Sequence, residues 1–178
     1  MLIGFIGAPC SGKTTTAALV FAALKNMGKI VEFVPECARA FICTKRRDEG
    51  LKITLNDWDQ TEIAYLQSNH ESLFLESGTD IVLTDSSIFN TLLYMTSEFR
   101  EDFLIKYNFQ DYKYDFLFHC PPIFNFQGKD PNRLHDYSTS LEIEKSIHEI
   151  IKHPYITVTG SALMRSESII RILMGFSC

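Results

Sequence analysis

Gly7-Ala8-Pro9-Cys10-Ser11-Gly12-Lys13-Thr14 is the stretch that decides the fold. It fits G-x-x-x-x-G-K-[ST], a loop that wraps phosphate groups. Just before it, Leu2, Ile3, Phe5 and Ile6 form a short apolar run; just after it, Thr15 to Lys25 are rich in Ala and Leu. The first reads as a buried strand and the second as a helix, the context in which the motif carries meaning. A polyphosphate bears several negative charges, so the loop must meet it with backbone N–H groups. Gly7 and Gly12 permit a close approach that a Cβ would hinder. The start of the helix adds orphan N–H donors and a partial positive charge. Lys13 has the reach for the β- and γ-phosphates, and the Thr14 hydroxyl can ligate Mg²⁺. Ala8, Pro9, Cys10, Ser11 and Thr15 complete the expected nucleotide-binding set. ATP with Mg²⁺ is the expected ligand.

The rest of the chain bounds what such a loop can serve. A length of 178 residues suggests one domain, residues 1–178, able to bury a core without disulfides. Hydrophobic residues at 46% and charged residues at 22% are ordinary globular values rather than those of a disordered chain. A net charge of −5 argues against a broad basic face that wraps DNA. Lys45-Arg46-Arg47 is the dense basic trio, and it reads as a solvated helix end or loop rather than a nucleic-acid groove. Cys10, Cys37, Cys43, Cys120 and Cys178 show no C-x-x-C pair and no metal-ligand spacing, which suggests free thiols in a reducing cytosol. The first strand begins at about Leu2, so no signal peptide is expected, and no apolar run reaches the length of a membrane span. The expected location is cytoplasmic. The oligomeric state is not written in the sequence, and a homodimer is compatible with it.

Strands and helices alternate along the chain. Ile30 to Val34 reads as a second strand, followed by Pro35-Glu36-Cys37-Ala38-Arg39. Ligands of open α/β sheets sit beyond the carboxyl ends of strands, so Glu36 and Arg39 fall where a phosphoryl acceptor would bind. Alternatively, Glu36 is a first-turn acid favoured by the helix dipole and Arg39 a solvated arginine. Thr44 to Gly50 reads as a mobile connection. A helix follows from about Thr54 or Asn56 to Glu76, with Ile63, Leu66, Leu73 and Phe74 among its apolar positions. Trp58, the single tryptophan, either faces a substrate ring or packs on a neighbouring helix. Asp80 to Asp85 reads as a buried strand ending in a carboxylate, where Asp85 helps hold Mg²⁺ and, with Ser86, faces the acceptor. Capping of the next helix is the other role open to Asp85.

Ile88 to Met95 reads as helix, residues 97–114 as helical then irregular, and Asp115 to Cys120 as a fourth strand. His119 reads as a core or strand-end histidine rather than a catalytic base, since no acid–base partner is evident. Ile123 to Tyr137 carries Lys129 and Arg133 in a Gly/Asp/Pro/Asn-rich setting and reads as a lid, whose arginine would neutralise charge on a transferred phosphoryl group. Leu141 to Lys152 reads as the lid's exit helix, Tyr155 to Val158 as a fifth strand and Leu163 to Met174 as a final helix. Gly160 and Ser161 are the candidate neighbours of an adenine ring. Together these elements predict an α/β three-layer P-loop NTPase with a five-stranded parallel sheet.

The order of P-loop, Pro-Glu-x-Ala-Arg, a strand ending in Thr-Asp-Ser, Tyr114-Asp115-Phe-Leu-Phe, Asp130-x-x-Arg133 and Val158-Thr-Gly-Ser resembles the NadR/Ttd14-like P-loop kinases. The resemblance spans nearly the whole chain. It implies ribosylnicotinamide kinase-like chemistry, with Gly7 to Thr14 on ATP phosphates, Asp85 near Mg²⁺ or the acceptor hydroxyl, and Arg133 as the lid arginine. Pro131 stands where the family commonly has Gly, which should stiffen the lid. The length leaves no room for the DNA-binding or adenylyltransferase domains of the NadR proteins, so the chain is similar to stand-alone forms carried by bacteriophages. Three activities follow. The first is phosphoryl transfer to a nucleoside- or nucleotide-like small molecule, with Lys13, Arg133 and Mg²⁺ stabilising the transferred group and Asp85 or Glu36 orienting the acceptor. The second is transfer to a nucleic acid, at a modified base or a 5′ end. The third is a nucleotide-dependent switch.

Overall fold

A computed structural model describes residues 1–50, 53–122 and 137–175. The strands are β1 (Leu2–Ile6), β2 (Val31–Val34), β3 (Ile81–Thr84), β4 (Phe116–His119) and β5 (Ile156–Thr157). The helices are α1 (Lys13–Asn26), α2 (Cys37–Glu49), α3 (Asp57–Glu76), α4 (Ser97–Lys106), α5 (Tyr137–Ile150) and α6 (Ala162–Leu173), with 3-10 segments at Ile88–Tyr94 and Phe109–Asp111. The sheet is parallel throughout, in the order β2-β3-β1-β4-β5. The chain therefore travels from β1 out to β2, turns back through β3 and passes β1 to reach β4 and β5, so connections leave β1 and β3 in opposite directions beside the phosphate loop. Crevices at such switch points are where α/β sheets bind ligands.

β1 explains the layering. All five of its residues are buried, the mark of a strand covered on both faces. Leu2 and Ile6 join a core with Val34, Val82, Ile88, Phe89, Leu117 and Ile147; Ile3 and Phe5 join the opposite core with Val20, Leu24, Leu83, Phe118 and Ile169. α3, α4 and α5 thus cover one face, and α1 and α6, packed on each other, cover the second. Gly4 points into the first core, where a Cβ would come within 2.6 Å of the Tyr114 ring.

Three expectations need correction. Thr44 to Gly50 is not a connection: α2 runs on through Glu49. Its polar last turns hold because the Lys45 ammonium meets the Asp59 carboxylate of α3 at 2.7 Å and lies 4.0 Å from Glu49, one turn on. Gly50 ends the helix at φ 99°, a conformation open to glycine. Leu73 is exposed, because α3 turns a polar face inward, made of Gln60, Thr61, Gln67, Ser68 and Glu71 beside Ile63 and Ala64. Ile88 to Met95 is not an α-helix; Ile88–Tyr94 is a 3-10 segment, whose first N–H is taken by the buried Tyr114 hydroxyl at 2.9 Å. The remaining strands and helices stand within a few residues of expectation, α5 beginning at Tyr137 rather than Leu141.

Candidate active site

The phosphate loop joins β1 to α1 and is held by its backbone. Gly7 N–H donates to Asn90 Oδ1 at 3.2 Å, and Ala8 N–H to Glu144 Oε2 at 3.4 Å. The Ser140 hydroxyl donates to Pro9 O, and the Arg165 guanidinium to Ser11 O at 2.7 Å. Lys13 Nζ donates to Gly7 O at 2.8 Å and Ala8 O at 3.1 Å. Gly7 cannot be replaced at no cost: its φ is 147°, and a Cβ would lie 2.5 Å from Cys120 O, a backbone atom just past the end of the adjacent β4. Cys10 at φ 64° and Gly12 at φ 83° carry the loop through the left-handed region. α1 then starts with no side-chain cap and no acidic residue in its first turn. The orphan N–H groups of a helix start, here at Lys13, Thr14 and Thr15, are the donors an anion requires.

Asp85, one residue past β3, lies against this loop. Its carboxylate accepts a hydrogen bond from the Thr14 hydroxyl and feels the charges of Glu36, Lys13 and Arg39. Burial raises its pKa to about 6; the Thr14 bond opposes the shift, Glu36 adds to it, and the Lys13 and Arg39 cations oppose it. Asp85 Oδ1, buried, has no hydrogen-bond partner, and neither do the buried Ser11 Oγ and Ser87 Oγ. Orphaned buried oxygens of this kind call for an unmet partner. A hard divalent cation fits the Thr14–Asp85 pair, which offers only oxygen donors. Among the described residues no group of three or more His, Cys, Asp or Glu could hold a metal. Among the described residues, Thr14 and Asp85 could hold Mg²⁺ together with the phosphates of a nucleotide.

Beside Asp85 lies a cavity lined by Glu36, Gln60, Gln67, Ser86, Asn90 and Tyr94, among others. It sits beyond the ends of β2 and β3, as the placement of Glu36 and Ser86 in sequence implied. It holds about 30 Å³, space for a water or two. An acceptor of nucleoside size enters only as its walls part. Most polar groups of the lining are already committed. Gln67 accepts from Cys37 N–H at 3.0 Å and donates to Thr84 Oγ1 at 2.6 Å; Asn90 donates to Ser86 Oγ at 2.7 Å and Phe5 O at 2.9 Å. The Gln60 amide, 5% exposed, makes no such side-chain bond among the described residues.

Other sequence candidates fall elsewhere. Trp58 is 60% exposed, does not line the cavity and packs edge-on against Phe99 of α4 at 5.3 Å, the second of its two readings. Arg39 is exposed at the start of α2 and reaches Asp85 through its charge. Gly160 and Ser161 sit at the exposed start of α6, where Ser161 Oγ caps the helix by accepting from Met164 N–H at 3.3 Å. Arg133 and Lys129, with the lid reading of 123–137, lie outside the described residues, apart from the first helical residue of α5. His119 is buried at the end of β4, as read; the missing acid–base partner is what needs correction. The imidazole has an acidic partner, with Nε2 2.8 Å from Glu144 Oε1 and Nδ1 3.1 Å from Thr157 Oγ1. No reading of local sequence could find Glu144, 25 residues away. Asn90, which with Thr91 interrupts the apolar run Ile88 to Leu93, was the anchor with a visible sign.

A family model described as AAA domain matches residues 2–165. The chain belongs to this AAA domain family. No curated protein matches it in sequence. Among solved structures, this AAA domain is similar to deoxyadenosine kinase from M. mycoides with bound dCTP, at TM-score 0.59 and 13% identity over 98% of this chain and 100% of that one. It is also similar to the APS kinase CysC of Mycobacterium tuberculosis. A mutant of that enzyme gives TM-score 0.53 and 16% identity, and the complex with AMPPNP and APS gives 0.52 and 18%, each over 97% of this chain and 96% of the other. At such identities the likeness is one of fold, and it agrees with the five-stranded P-loop architecture. No helix among the described residues is long and apolar enough to cross a membrane.

Proposed function

We propose that this AAA domain transfers the γ-phosphoryl group of ATP to a nucleoside- or nucleotide-like small molecule. The observation that carries the reading is the position of Asp85. Its unpartnered oxygen lies between the phosphate loop, through Thr14, and the cavity, through Glu36. A carboxylate so placed can hold Mg²⁺ toward the nucleotide and orient an acceptor hydroxyl toward the transferred group. Phosphoryl transfer asks for this kind of positioning and charge neutralisation rather than covalent chemistry. Lys13 would leave the loop carbonyls for the phosphates, Glu36 would face the acceptor, and the free Gln60 amide would read a polar edge of it. The deoxyadenosine kinase and APS kinase folds support a nucleotide-like acceptor, and the NadR-like order of motifs supports a ribosylated one. Transfer to nucleic acid draws no support from charge: Lys45 is paired with Asp59, and Arg47 with Asp48.

Labelled γ-phosphate transfer tests the proposal with a panel of nucleosides, ribosylnicotinamide, nucleoside monophosphates, plain DNA and hydroxymethylated DNA. Label in a small molecule is expected. Label confined to DNA, or released only as free phosphate, would overturn the reading in favour of a nucleic-acid kinase or a switch respectively.

A further inference from the structure

Arg165 has no place in the proposed chemistry and no conspicuous sequence context, yet it is the most deeply buried cation near the loop. It lies in the first turn and a half of α6 and is 2% exposed. Its Nη1 donates to Ser11 O at 2.7 Å, its Nη2 to Pro121 O at 2.8 Å, and its Nε has no partner. Both acceptors are neutral carbonyls. Among the described residues no carboxylate pairs with it. A buried charge without a counter-ion is costly, and carbonyl dipoles offset only part of that cost.

The acceptor on the loop is telling. Ser11 sits between Cys10 and Gly12, both in the left-handed region, so local preference does not fix the Ser11–Gly12 peptide. The chain has no cis peptide bond among the described residues. In a planar trans peptide the C=O and N–H point in opposite directions. Drawing Ser11 O toward α6 therefore turns the Gly12 N–H away from α6. A guanidinium fork holds that carbonyl and Pro121 O from two separate nitrogens, tying the loop to the end of β4; an ammonium offers a single nitrogen on a flexible stem and no such fork.

We propose that Arg165 is a positioning residue for phosphate binding: it sets the Ser11–Gly12 peptide, and its buried charge finds its counter-ion in the phosphates of the bound nucleotide. The proposal rests on the reading that the loop binds ATP. It adds that affinity for the nucleotide depends on a cation that touches the back of the loop.

The test uses the full chain and four forms: wild type, Lys13→Ala, Arg165→Lys and Arg165→Met. Mg-ATP affinity is measured by titration calorimetry well below each melting temperature, alongside the melting temperature without nucleotide and the KM and kcat of transfer. Arg165→Met is expected to weaken Mg-ATP binding at least about tenfold, raising KM for ATP more than it lowers kcat. Arg165→Lys is expected to fall between, about three- to tenfold weaker, because it keeps the charge and loses one carbonyl. A lowered melting temperature with Mg-ATP affinity within about twofold of wild type in either variant would overturn the proposal and leave Arg165 a structural residue. If Arg165→Met does not fold, the Lys variant decides by the same criterion. Wild type that binds no Mg-ATP would remove the functional reading itself, whereas wild-type binding with unaffected variants removes only the role of Arg165.

Discussion

Lys13 and Asp85 carry the functional reading, and each makes a prediction of its own. Lys13 is half-exposed and, among the described residues, donates only to loop carbonyls, so Lys13→Ala should abolish transfer while leaving the circular dichroism spectrum and melting temperature close to wild type. Asp85 titrates at about pH 6, since burial disfavours its charged form. Because this carboxyl must lose its proton to hold Mg²⁺, Mg-ATP binding measured by titration calorimetry should strengthen with pH through about 6, and an affinity flat from pH 5 to 8 would show that this carboxylate does not hold the metal. The sign for stability is opposite. A carboxyl whose folded pKa is raised contributes stability below about pH 4 that is lost as pH climbs to about 6. Without nucleotide, Asp85→Asn should exceed wild type at pH 8 by on the order of 2 kcal/mol in denaturant unfolding, with the difference fading toward pH 4. The loop residues themselves were legible because their meaning is local: spacing, two glycines, a lysine and a hydroxyl within eight positions of one another.

α3 shows where helix-scale reading succeeds and where it fails. Its start was readable, because Asn56 and Asp59 form a reciprocal capping box: Asp59 N–H donates to Asn56 Oδ1 at 3.0 Å and Asn56 N–H to Asp59 Oδ2 at 2.8 Å. Asn56→Ala should cost about 1 kcal/mol in urea unfolding. Its orientation was not readable, because the buried face is polar and an apolar count points the helix the wrong way at Leu73. The reason lies in distant partners. Glu71, fully buried, accepts from the Tyr112 hydroxyl at 2.7 Å and the Tyr114 hydroxyl at 3.0 Å. Hydrogen bonds between residues about forty positions apart leave no periodic trace in either segment. α2 was cut short for the same reason: Lys45 looked like a solvated charge until Asp59 came beside it.

At the scale of the whole molecule, the parallel five-stranded sheet and its layers followed from alternation of strands and helices, whereas the strand order, the full lining of the cavity and the loop anchors did not. They are assembled from α2, α3, α5, α6 and the 3-10 segment after β3, elements that only the finished topology brings together. The same assembly makes global stability depend on pH. Burial lifts the Glu71 carboxyl to about 7, against the hydroxyl and amide bonds that lower it. Folding is thus favoured below about pH 4.5 by this group, and that contribution fades as pH rises through about 7. Wild type should lose a few kcal/mol between pH 5 and 8, measured by urea unfolding, and Glu71→Gln should flatten that slope. An unchanged slope in the variant would assign the loss to other groups.

The anchoring of the phosphate loop also has a consequence for synthesis on the ribosome. Residues 7–14 leave the exit tunnel well before Asn90, Ser140, Glu144 and Arg165, whose side chains fix their backbone. A nascent chain halted before α6 owns the whole motif and lacks its last fastening. Chains emerge N-terminus first, so the loop waits for a much later segment to acquire its shape. Nucleotide capture would then mark the arrival of α6, and a ligand present at that moment would favour correctly closed chains over partly assembled ones.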